Sequence, residues 1–191
     1  MKYLLVVLIA LAIAFGFMIK HSNDKRAALA AEKMAYEQKK EAEKQALIVQ
    51  QLAKSSKKQV DKQISELQRK VTIDYADAKK IIESEKLSPD ELRFYRDFSA
   101  KWSDSVQLAS STGRIALSGP VKDLQQLKQQ FEQHQPRTEC ETQMYENYKN
   151  SYQYTVLSFI EFMSKDEITS SMNQSAASDF LKTANVIFEY C

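Results

Sequence analysis

Residues 87–109 read LSPDELRFYRDFSAKWSDSVQLA, and this stretch decides the fold class. Ser88, Pro89 and Glu91 form a helix-start signature. The serine caps, the proline suits the first helical position, and the glutamate three residues on completes a capping box. Behind that start, Leu92, Tyr95, Phe98, Trp102, Val106 and Ala109 recur at intervals of three and four. That period belongs to a helix with one buried face and not to a strand. Trp102 is the only tryptophan of the chain, and a bulky aromatic at helical spacing is first of all a core residue.

The rest of the chain repeats the pattern. Only 3 of 191 residues are glycine and 3 are proline, too few for the turns of a β-rich fold. The stretch SSTGRIALSGP, residues 110–120, is the main break, and Arg114 within it is a candidate surface contact. It lacks the spacing of a phosphate-binding loop and reads as a turn between helices. A helix is predicted over 120–134, with Leu117, Val121, Leu124, Leu127 and Phe131 inward and His134 in its last turn; Pro136 stops it. The next runs over 138–163, its wide apolar face carrying Cys140, Met144, Tyr145, Tyr148, Tyr152 and Phe159. Tyr145, Tyr148 and Tyr152 are candidates to line a ligand groove, beside the plainer reading that they pack in the core. Residues 164–174 are read as a polar turn, and 175–190 as the last helix, with Phe180, Ala184, Ile187 and Cys191 in one row.

Upstream, three regions follow one another: a signal anchor or transmembrane helix over 1–20, a polar helical stalk over 21–59, and a helical bundle over 60–191. Met1-Lys2 precedes an uncharged run from Tyr3 to Ile19, the pattern of an export signal or anchor. An uncleaved anchor is the preferred reading because the apolar run continues past Ala12-Ile13-Ala14; a cleaved signal is the alternative. The stalk is rich in Ala, Glu, Lys and Gln, with i,i+4 pairs such as Lys33–Glu37 and Lys39–Glu43, and some 35 helical residues reach about 50 Å. Val60, Ile64, Leu67, Val71, Tyr75, Ala78 and Ile82 then form a stripe over three heptads. Its cover is the chain's own domain or, alternatively, a second copy in a coiled coil.

Residues 1–87 hold 17 Lys/Arg against 11 Asp/Glu, and residues 88–191 hold 10 against 14. The basic cluster Lys54–Lys58 has no aromatic or glycine-rich context, so no nucleic-acid partner is expected. Cys140 opens one helix and Cys191 closes another, each on an apolar face. Antiparallel neighbours would bring them to disulfide distance, and the pairing implies an oxidising compartment. The positive-inside count points the other way, since Lys20, Lys25, Arg26 and Lys33 follow the apolar run. The disulfide is given precedence, which places the domain in the periplasm on an inner-membrane anchor.

No zinc spacing, nucleophile elbow or Walker-type loop occurs, so no cofactor, metal or catalytic residue is assigned. Asp97, Asp104, Glu161 and Asp179 would form a site only if folding converged them. The expected function is non-catalytic: a membrane-anchored binding or scaffolding surface, with a protein partner or self-association through the stalk. The alternative is a helical domain that binds a small molecule or lipid among its aromatics. A cavity of several hundred Å3 lined by the tyrosine cluster favours the second, a large exposed apolar patch on the stalk or head the first, and buried convergent carboxylates with perturbed pKa values an enzyme. Residues 108–120, with Leu124-Gln125 and Cys140 beyond them, resemble uncharacterised bacterial envelope proteins with a single N-terminal anchor and a helical periplasmic domain. That resemblance implies no activity and transfers no functional residue.

Overall fold

The computed structural model describes residues 2–191, with side chains for Leu29 and residues 32–191. The chain divides into two compact units, Met1–Lys57 and Lys58–Cys191. The secondary structure among the described residues is helical: α1 (Lys2–Lys70), α2 (Tyr75–Glu83), α3 (Pro89–Ser111), a 3-10 turn at Arg114–Ala116, α4 (Ser118–Glu132), α5 (Glu139–Met163) and α6 (Glu167–Phe188). The anchor read over residues 1–20 lies outside the described side chains. Among the described residues no helix is long and apolar enough to cross a membrane.

In the first unit, Leu29 and residues 32–57 are all exposed, Leu47, Ile48, Val49 and Leu52 included. Neither Lys33–Glu37 nor Lys39–Glu43 closes to ion-pair distance. The gain from such exposed pairs is small against the entropy of holding two long side chains.

The second unit is a bundle in which α3 and α5 run in one direction and α4 and α6 in the other. The register follows from side-chain pairs: Tyr95 of α3 reaches Glu141 of α5, Trp102 meets Tyr152, and Phe131 of α4 stacks on Tyr145. The α3 capping box forms as the sequence predicts, Ser88 accepting from the Glu91 amide and Glu91 from the Ser88 amide. Ile64 and Leu67 from the end of α1, Val71 just beyond it, and Ala78, Ile81 and Ile82 from α2 are buried in the same core. The stripe over 60–82 is thus covered by the chain's own domain.

Three sequence expectations are corrected. The stripe is not one helix: α1 stops at Lys70, residues 71–74 are irregular, and Tyr75 is exposed. Val71, Thr72 and Ile73 are β-branched and poor helix formers, and Asp74 offers its carboxylate to the Asp77 amide as the cap of a new helix. The polar turn over 164–174 is only Ser164–Asp166. Asp166 caps α6 through the Thr169 amide and hydroxyl, and α6 begins eight residues before the predicted 175. Finally, α4 ends at Glu132, so His134 stands beyond the helix and not in its last turn.

The disulfide is present. Cys140 and Cys191 are bonded with Cα atoms 5.6 Å apart, joining the start of α5 to the end of α6. The same corner carries further ties. The Leu87 amide donates to the Cys191 carbonyl at 2.8 Å, Lys86 Nζ donates to the Tyr190 carbonyl, and Lys70 pairs with Glu189 at 2.6 Å.

Candidate functional site: a cavity between α3 and α6

Interiors of helical bundles are normally filled by interdigitating Leu, Ile and Phe side chains. At one seam of this bundle most of the facing residues are small. On α3 the stripe is Ser99, Trp102, Ser103, Val106 and Ser110; on α6 it is Ser170, Gln174, Ala177, Ser178 and Leu181. The side chains do not meet, and a cavity of about 690 Å3, open to solvent past the exposed Ser103, Ser110, Gln174 and Ser178, lies between them, within the range of small-molecule sites. Tyr152, Thr155, Phe159 and Phe162 of α5 form its floor, and the 112–114 segment closes one end.

Much of the polar lining is already satisfied within the fold. Ser151 Oγ donates to the Ala177 carbonyl at 2.9 Å, Thr155 Oγ1 to the Ser151 carbonyl at 2.8 Å and Ser170 Oγ to the Ser158 carbonyl at 2.9 Å. With these hydroxyls committed to backbone, they offer a guest mainly carbon surface. Rings supply the rest: Trp102 lies 4.1 Å, centroid to centroid, from Tyr152, and both line the cavity.

Arg114 is the one charged residue in the lining. Its guanidinium lies 4.2 Å from the centre of the Phe162 ring, and Nη2 reaches Glu167 Oε1 at 2.8 Å. Nε is buried without a hydrogen-bond partner, the single such side-chain nitrogen or oxygen among the described residues.

Of the five residues singled out by sequence, the cavity brings together Trp102, Arg114 and Tyr152. Tyr145 and Tyr148 do not line it. Tyr145 stacks on Phe131 with centroids 4.9 Å apart, and Tyr148 donates to Asn185 Oδ1 at 2.7 Å. Burial of Tyr148 pushes its phenol up to about 12. Burial raises the phenols of Tyr145 and Tyr152 as well.

Sequence reasoning passed over Glu141. Its side chain is fully buried, yet every oxygen is used: Oε1 accepts from Tyr95 OH at 3.1 Å and contacts His134 Nε2 at 2.7 Å, while Oε2 accepts from the Arg137 amide at 2.7 Å. His134 stacks on Phe94 with centroids 4.2 Å apart. The signal was present, since Glu141 interrupts the apolar face shared by Cys140, Met144, Tyr145 and Tyr148. None of the three networked side chains lines the cavity, and the network joins α3, α5 and the segment between α4 and α5. Asp97, Asp104, Glu161 and Asp179 are likewise absent from the cavity lining. Among the described residues no group of three or more His, Cys, Asp or Glu is placed to hold a metal ion.

Comparison with protein-family models, with curated proteins and with solved structures found no match.

Proposed function

We propose that the bundle is a non-catalytic binding domain for a small, largely apolar molecule held between α3, α5 and α6. The observation that carries this reading is the cavity itself: about 690 Å3, floored by Phe159 and Phe162, walled by Trp102 and Leu181. The disulfide suits an oxidising, extracytoplasmic setting, and the apolar run at 3–19 suits attachment to the inner membrane. In such an envelope setting the polar segment over 21–59 serves as the spacer between anchor and binding domain.

The test is binding of the neutral fluorophore N-phenylnaphthylamine to the oxidised protein, wild type against Ser178→Trp. Ser178 is an exposed lining residue, so a tryptophan there obstructs the cavity without entering the core. We expect binding by the wild type and a loss of at least about tenfold in the variant, equivalent to 1.4 kcal/mol. Equal binding by both proteins would place the probe elsewhere and remove the reading.

A second reading, self-association through the stalk, is favoured by Leu47, Ile48, Val49 and Leu52, four exposed apolar residues within six positions. Sedimentation of the wild type against Ile48→Glu/Leu52→Glu decides it. A monomeric wild type sinks this reading and leaves the first untouched.

A further inference from the structure

We propose that Arg114 fixes an anionic head group, so that the guest is an anionic amphiphile. Its carboxylate or phosphate monoester sits at the 112–114 turn, and its aliphatic or aromatic body lies along α5 towards Trp102 and Tyr152. This rests on the binding reading above and adds the guest's charge and its direction.

Three observations carry it. Arg114 is the one charged residue lining the cavity, and it stands at one end. An anionic head group therefore has one cation to pair with, and a cationic guest meets no carboxylate in the lining. Next, the hydrogen-bonding capacity of Arg114 is unfinished. Glu167 engages Nη2 through one oxygen and leaves Nε, on the same edge of the guanidinium, buried and unpaired. That edge presents two parallel N–H groups, the fork that takes a carboxylate or phosphate in bidentate fashion. Glu167 is 72% exposed, so the bond it now makes is weak and readily exchanged for one to a guest oxygen. The Phe162 ring beneath the guanidinium holds its plane in place, so little rotamer freedom is lost on binding.

The remaining dimension fits as well. Lining residues on α5 run from Ser151 to Phe162, and eleven helical steps cover about 16 Å. An extended chain thus lies along the floor with its head at Arg114 and its tail at the Trp102–Tyr152 pair. Along that floor Ser151 and Thr155 donate to backbone carbonyls, so a hydrocarbon leaves neither hydroxyl proton unpaired.

The experiment displaces N-phenylnaphthylamine from the oxidised full chain with dodecanoate, dodecyl phosphate, dodecanol and dodecyltrimethylammonium, each below its micelle-forming concentration. The two anions are expected to displace at about tenfold lower concentration than dodecanol, the size of one charge-assisted hydrogen bond, and the cation least well. Arg114→Gln should bring the anion and alcohol constants together while its thermal unfolding shows a folded protein. Arg114→Lys should keep part of the preference, since a point charge remains and the fork is lost. Glu167→Gln removes the competing carboxylate and should tighten dodecanoate without changing dodecanol. Equal constants for dodecanoate and dodecanol in the wild type, or a preference that survives in Arg114→Gln, overturn the inference and leave the cavity reading standing. If N-phenylnaphthylamine and all four ligands fail to bind, the cavity reading falls and takes this inference with it.

Discussion

Glu141 ties α3 and the segment between α4 and α5 to the start of α5. A carboxylate with no solvent exposure persists only where its oxygens are bonded, and Tyr95, His134 and the Arg137 amide do that. Replacing His134 by Phe preserves the stacking on Phe94 and removes one donor. We expect a loss of about 2 kcal/mol in urea unfolding, recovered in part when Glu141→Gln is added, and additive losses would deny the coupling. The phenols make a second residue-scale prediction. Tyr148 ionises near 10 when unfolded and near 12 in the bundle, so its contribution is intact below pH 10 and is lost as pH rises to about 12. Stability should therefore fall steeply over that window, and Tyr148→Phe should flatten the slope. Sequence could not rank Tyr148 against Tyr152: both sit on the α5 face, and only the small residues of α6 decide which of them meets a cavity.

At the scale of elements, the legible helices are those whose ends are written in side chains. Ser88 with Glu91, and Pro136 beyond α4, mark boundaries that the structure reproduces to within a few residues. The break at 71–74 and the early start of α6 escaped because each depends on an aspartate cap, Asp74 or Asp166, with no glycine or proline beside it. A lone Asp in a polar run looks like surface until the backbone around it is known. Lys165, between α5 and α6, has φ of 68°, a conformation that a side chain disfavours. Lys165→Gly should stabilise the bundle by about 1 kcal/mol, read as a raised urea midpoint at unchanged slope; a lower midpoint would contradict this account of the turn. In Asp166→Ala the α6 cap is lost, with an expected cost of about 1 kcal/mol in the same assay.

For the molecule as a whole, the helical class, the disulfide and the core faces of α3, α4 and α5 follow from composition and period. The cavity does not. Periodicity reports where apolar residues lie, whereas a void arises from which small side chains oppose one another across a seam, and that needs the register of two helices distant in sequence. Reduction of the disulfide, or Cys140→Ser with Cys191→Ser, should cost about 4 kcal/mol for a closed loop of this length. An unchanged unfolding midpoint after reduction would show that the corner is held by Lys70, Lys86 and Leu87 alone.

The place of that bond has a mechanical consequence. One end of the α5–α6 hairpin is shut by Ser164–Asp166, the other by Cys140–Cys191, so the two helices form a covalent ring that cannot splay. One wall of the cavity, α6, is therefore a fixed jaw. Admission of a guest must be accommodated by the other jaw, α3 and the turn at Arg114–Ala116, which no cross-link ties to the ring. Hydrogen exchange in the oxidised protein should accordingly register the guest in residues 99–116 and leave the amides of α6 nearly unchanged. After reduction that asymmetry should fade.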